Sequence, residues 1–315
     1  MKAKLSSFEH TRKVLSARRG GFSIPPPRTR GDGLVSATTD PVQSPRRPPR
    51  MRSRAREERE IAALLNEVRG DAALGERMRR AARLLRGRPY VENPLGGGPD
   101  QREVLTLSLA GFDCVTYVET VLALALARSV RDVRRWLRRI RYKDGRVAWH
   151  ARHHYMVEWI RANVRQGVLT DLTRGRGTRP LMRRVNVVPG LPPRTLRFRC
   201  FPKKQLTRLR ERLRDGDLIF FVSTKPNLDV FHVGLLLVER EPGGSVALIL
   251  SHASRRHGRV TEQELEGFLK ENRMSGVLLV RPRGPKAHPS SREEGCASPT
   301  RARARRRRPR GRRCG

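Results

Sequence analysis

Apolar residues first fall into a regular rhythm at Ile61, Leu64, Leu65 and Val68, and again at Leu74, Met78, Ala81, Leu84 and Leu85. Spacings of three and four put each set on one helical face, so the pattern predicts two amphipathic helices broken near Gly70 and Asp71. A turn-rich stretch, RGRPYVENPLGGGPD, comes next. Asp113 then precedes CVTYVETVLALALARS, a run of good helix formers whose apolar side repeats at Val118, Leu122 and Ala125. Asp113 is its candidate N-cap, and Cys114 falls in the first turn. A third helical zone is expected from Arg131 to about Asn163, interrupted at Lys143, Asp144 and Gly145. Residues 167–205, rich in Gly, Pro and Arg, read as a long excursion.

From Asp217 the period changes. DLIFFV, FHVGLLLVE, SVALILSHAS and GVLLVRP are short β-branched and aromatic runs separated by turn residues, the pattern of an antiparallel sheet. Helices followed by strands predict an α+β fold. His232 opens the second run and His252 closes the third. If those runs form a hairpin closed by a five-residue loop, Arg240 to Gly244, the two histidines stand directly opposite each other on one face. A four-residue loop would put them on opposite faces unless a bulge restored the register.

Composition narrows the domain plan. The 315 residues carry 69 Lys plus Arg against 30 Asp plus Glu, a formal charge of +39, with only 37% hydrophobic residues, so any core must be concentrated. Residues 1–60 hold PPP and PRRPPR without a sustained apolar period, and the chain ends in RARARRRRPRGRRCG. Both ends are expected to be disordered basic segments, leaving one domain over residues 61–283 and a basic tail over 284–315. The longest apolar run of the body, Val121 to Ala127, is far short of the roughly 20 residues of a membrane span. The N-terminal stretch lacks the apolar segment of a secretory signal, which leaves a cytoplasmic location open.

Cysteine spacing shows no C-x-x-C pair, and Cys114 and Cys200 are the two expected in folded structure. A cysteine at a helix N-terminus meets partial positive charge from unpaired backbone N–H groups, which favours the thiolate and makes Cys114 a candidate nucleophile. The alternative is an ordinary buried small residue. A nucleophile needs a base and the base an orienting group, and His232 and His252 at one end of a hairpin are candidates for both. His150, His153 and His154 crowd together, but no acidic residue stands at ligand spacing beside them, so no metal or other cofactor is expected.

The order GFDCVTYVE, RDGDLIFFV, FHVGLLL and LSHAS resembles the NlpC-type cell-wall hydrolases, whose fold is papain-like. FDCVTYVETVLALA, the segment around Arg152 to Met156, LDVFHVG and the final VRP further resemble the N-acetylmuramoyl-L-alanine amidase-like branch over roughly residues 70–282. The resemblance implies hydrolysis of the amide between N-acetylmuramic acid and L-alanine in peptidoglycan or muropeptides. It implies attack by Cys114, proton transfer by His232 and orientation by His252. Tyr90 matches the tyrosine that precedes the cysteine in these hydrolases and would help to stabilise the oxyanion. Arg152, His154 and Tyr155 are candidate substrate contacts or else cap or pack the helix, Asp229 either contacts substrate or caps a turn, and a periplasmic or envelope location is implied. The branch usually reads R-N-H-Y where this chain has Arg152-His153-His154-Tyr155, a departure at the second position.

Two other readings come from different classes. A basic protein for nucleic acid or another polyanion would exploit the Arg-rich ends. Aromatics interleaved with the basic residues, which base stacking needs, are almost absent from those ends, so any nucleic-acid binding is expected to be incidental. A catalytically inactive wall-binding module of the same fold is the other, and joint retention of Cys114, His232, His252 and Tyr90 speaks against it. Glu119, five residues beyond Cys114, either supports the site from behind the cysteine or faces solvent, and the second is expected.

Overall fold

The computed structural model describes residues 54–240, 244–284 and Gly315. The chain divides into units Met1–Pro48 and Pro49–Gly315; the first lies outside the described residues, as does most of the Arg-rich tail. Within the second, the helices are α1 (Arg54–Val68), α2 (Leu74–Leu84), α3 (Cys114–Leu126), α4 (Val130–Arg141), α5 (Met156–Arg165), the single turn α6 (Leu206–Leu209) and α7 (Leu265–Glu271). The strands are β1 (Leu169–Asp171), β2 (Arg179–Val185), β3 (Arg194–Cys200), β4 (Leu218–Val222), β5 (Val230–Arg240), β6 (Val246–Ser254), β7 (Arg259–Glu264) and β8 (Gly276–Pro282).

The expected α+β class holds. Six strands form one antiparallel sheet in the order β1-β8-β4-β5-β6-β7, while β2 and β3 pair separately. The separate hairpin occupies the stretch read as an excursion. In β3 the apolar Leu196, Phe198 and Cys200 alternate with Arg197 and Arg199, whereas in β2 Leu181 and Met182 are adjacent and no two-residue period stands out. The body also starts earlier than expected: α1 begins at Arg54, about two turns ahead of the buried Ile61, Leu64, Leu65 and Val68.

The sheet separates two cores. Val233, Leu235 and Leu237 of β5, with Leu218, Phe220 and Val222 of β4, pack against α1 to α5. Leu236, Ile219 and Phe221, on the alternate positions, pack with Leu265, Phe268 and Leu269 of α7. Strand alternation thus distributes one continuous apolar run to both faces. α3 is buried from Thr116 to Leu126, so it is the central helix of the first core. No described helix is long and apolar enough to cross a membrane.

Candidate active site

Cys114 opens α3 because the residue before it caps the helix. Asp113 Oδ1 accepts from the Thr116 N–H at 2.7 Å, while the Thr116 hydroxyl accepts from the Asp113 N–H at 3.1 Å, a closed capping box. One turn on, the Tyr117 hydroxyl and Ser251 Oγ are 2.7 Å apart, which ties the helix to β6 next to His252. The last β5–β6 pair is Leu235 with Ser251, so the first turn of α3 is anchored where that ladder stops.

Tyr90 reaches the same region through isolated pairing with Phe112, two residues before the cysteine. Its segment is held by Val91 N–H to Phe112 O at 2.9 Å and Phe112 N–H to Pro89 O at 3.0 Å. Gly111 permits this approach: a Cβ there would lie 2.4 Å from Val91 Cγ2 and 2.9 Å from Pro89 O. Burial, followed by the nearby Cys114 and Asp113, raises the Tyr90 pKa, so the phenol stays protonated and able to donate.

The histidines share one face, as the hairpin geometry required, but not directly opposite each other. Arg240 pairs with Val246, so the loop covers 241–245: five residues, displaced by one from the expected span. The register shifts by two, which preserves the face and makes the histidines diagonal neighbours. Gly234 lies between them in effect, since a Cβ there would sit 2.9 Å from Ser251 O and 3.2 Å from His252 Cβ. Across this close approach His232 Nε2 and His252 Nδ1 meet at 2.6 Å. Phe268 stacks on His232 with centroids 5.4 Å apart and meets the edge of His252 at 5.6 Å, fixing both planes.

Electrostatics correct one expectation. Burial, with Asp113 adding to it, pushes the Cys114 thiol up to about 12 against the backbone N–H groups of Val233, Cys114 and Val115 that favour the anion. The helix terminus is real, but its N-cap is itself an acid and the sulfur is poorly hydrated. Burial and then His252 push His232 down to about 3, and burial outweighs the hydrogen bond to Gln263 Oε1 to leave His252 at about 4. The thiol and both imidazoles are therefore uncharged near pH 7. Hydrogen bonds of the described residues join the two rings; none joins the thiol to either ring.

Three of the four candidate substrate contacts, Arg152, Asp229 and His154, are hydrogen-bonded within the domain. Arg152 donates from Nε to Glu103 Oε1 at 2.9 Å, and from Nη2 to Glu103 Oε2 at 2.6 Å and Gly96 O at 3.0 Å. Burial would raise the Glu103 carboxyl, but Arg152 and the Tyr142 hydroxyl hold it below its ordinary value. Asp229 accepts from the Val157 and Val230 N–H groups, each at 2.8 Å, and supplies the capping oxygen that Tyr155, at the start of α5, does not. His154 Nε2 donates to Trp149 O at 2.8 Å. The Tyr155 ring is 1% exposed, and its hydroxyl has no hydrogen-bond partner among the described residues. Glu119, expected to face solvent, is buried with Arg141 Nε at 2.7 Å and Trp159 Nε1 at 3.1 Å, because α3 is enclosed on every side. Among the described residues no group of three His, Cys, Asp or Glu side chains could hold a metal ion.

A family model described as AmiA-like, N-acetylmuramoyl-L-alanine amidase-like, matches residues 80–277, more than half of the chain. Among solved structures, a Legionella pneumophila protein of the DUF1460 family is similar in fold, with a TM-score of 0.61 and 20% identity over 72% of this chain and 95% of its own. An N-acetylmuramoyl-L-alanine amidase from Bacteroides uniformis aligns with a TM-score of 0.58 and 26% identity, covering 67% of this chain and 99% of that one. A second structure of an amidase from that organism gives 0.57 and 25% over the same shares. Comparison with curated proteins returns no match. The matched span includes the capped cysteine helix and both histidine strands, and the chain belongs to the AmiA-like, N-acetylmuramoyl-L-alanine amidase-like family.

Proposed function

We propose that this protein is a cysteine hydrolase of papain-like, NlpC-type architecture that cleaves the N-acetylmuramoyl-L-alanine amide of peptidoglycan or its muropeptides. The observation that carries the reading is the 2.6 Å bond between His232 Nε2 and His252 Nδ1, formed at the end of the ladder on which the Cys114 helix is anchored. The family and the amidase neighbours support the substrate class. An envelope location follows from that substrate.

With thiol and imidazole both neutral at rest, no ion pair is stored. His232 takes the Cys114 proton as the sulfur attacks the amide carbonyl, a general-base step. The oxyanion of the tetrahedral intermediate is met by the Cys114 N–H and the Tyr90 hydroxyl; losing one such donor typically costs on the order of 100 to 1,000-fold. Collapse breaks the C–N bond, His232 returns the proton to the departing L-alanine amine, and water then hydrolyses the thioester. Arg152 and Asp229 act in this scheme by position: Arg152 holds the 96–103 segment, and Asp229 holds the start of α5. His154 and Tyr155 flank that start.

The test is turnover of an N-acetylmuramoyl peptide with products read by mass. Cys114→Ala is expected to lower kcat/KM by at least about a thousandfold while leaving the fold intact, since it removes the nucleophile of a cooperating set. Unchanged turnover would remove Cys114 from the reaction.

A further inference from the structure

The polar chain does not stop at His252. β6 and β7 pair with Leu250 opposite Gln263 and His252 opposite Thr261, so Gln263 is diagonal to His252 on the same face. A side chain of glutamine length spans such a diagonal. Its Oε1 lies 3.4 Å from His252 Nε2, on the far side of the ring from His232. Glu262 and Glu264, its neighbours in β7, alternate to the other face of the strand.

We infer that Gln263 is a positioning residue whose amide oxygen sets the protonation pattern of both imidazoles, an inference that rests on His232 being the base for Cys114. An amide oxygen only accepts, so His252 carries its proton on Nε2. A neutral imidazole has a single N–H, which makes His252 Nδ1 an acceptor. The 2.6 Å contact is then made by a proton on His232 Nε2. His232 Nδ1 is left with a lone pair, the form a base must have. The opposite amide orientation reverses each step: His252 would donate from Nδ1, His232 would hold its proton on Nδ1, and no base would remain. One neutral side chain two residues removed from the reaction thus decides which of two tautomer sets is present. Burial keeps both rings neutral near pH 7, which is the condition for tautomers to matter.

Long-range 1H–15N correlation spectra of the imidazoles in the full chain read the tautomers directly. In the unsubstituted protein both His232 and His252 are expected as Nε2–H forms. Gln263→Met is expected to yield a mixture of forms and to lower kcat roughly 2- to 10-fold with KM unchanged, the scale of one neutral hydrogen bond. Gln263→Glu, which keeps an acceptor, should retain the Nε2–H forms and most of the turnover. Gln263→Asn, too short to reach, should behave as the methionine variant does, and serves if that one does not fold. An Nδ1–H form of His232 in the unsubstituted protein, or tautomers unchanged in both Gln263→Met and Gln263→Asn, overturns the inference. The same spectra recorded on Cys114→Ala protein separate this outcome from the nucleophile test: tautomers can follow Gln263 there whether or not Cys114 carries the reaction.

Discussion

Arg141→Met tests how the helix that carries Cys114 is held. Arg141 and Glu119 are 3% and 2% exposed, and the guanidinium also donates to Thr106 O at 2.7 Å. At about 4 Å between charge centres and an effective dielectric of about 20, their attraction is ~4 kcal/mol. Removing the cation forfeits that and leaves the Glu119 carboxylate buried with Trp159 as its hydrogen-bond donor. Breaking one partner of a buried pair costs about 3–5 kcal/mol, a large share of the roughly 5–15 kcal/mol of a typical domain. Equilibrium urea unfolding measures the loss, with Trp159 fluorescence reporting from beside the pair. The double variant Arg141→Met with Glu119→Leu should recover most of it, leaving a deficit of about 1–2 kcal/mol for the unpaired Thr106 O and Trp159 Nε1. A single-variant cost below about 1 kcal/mol would refute the view that a desolvated ion pair secures α3.

Other consequences can be measured separately. Gly234→Ala should cost about 1–3 kcal/mol in thermal or urea unfolding, because its Cβ would press on Ser251 O and the Leu250 side chain; a neutral effect would mean that β5 and β6 can part there freely. Alkylation of Cys114 by iodoacetamide, followed by peptide mapping, should keep accelerating from pH 7 to pH 10, since the thiol is pushed up to about 12 and only the thiolate reacts; a rate already level below pH 8 would show a stored thiolate instead. Both imidazoles have folded pKa values below the ordinary 6.5, so the unfolded chain binds more protons between pH 6.5 and about 4, and their contribution to stability is lost as pH falls through that window. Asp229, raised by burial to about 6, works in the opposite direction over part of the range. The acid sensitivity of the urea midpoint should therefore shrink in a His232→Gln, His252→Asn variant, and an unaltered pH dependence would contradict neutral burial of the pair.

Local pattern made much of this protein legible. The three-and-four spacing of Ile61 to Val68 and the Asp113 cap before Cys114 depend on interactions within a turn or two, so the letters alone specify them. The four apolar strand runs and the odd hairpin loop follow from alternation, which also places His232 and His252 on one face. Tertiary structure decided the rest. Whether the thiol is ionised depends on how much water α3 leaves it, and burial with Asp113 overrides the helix terminus. Whether Arg152, Asp229 and Glu119 look outward depends on partners tens of residues away: Glu103, Val157 and Arg141. The strand carrying Gln263, RVTEQE, has too few apolar residues for alternation to announce it, and only pairing with β6 brings its amide to His252. Periodicity is a property of neighbours in the chain, whereas desolvation and hydrogen-bond partnership are properties of neighbours in space.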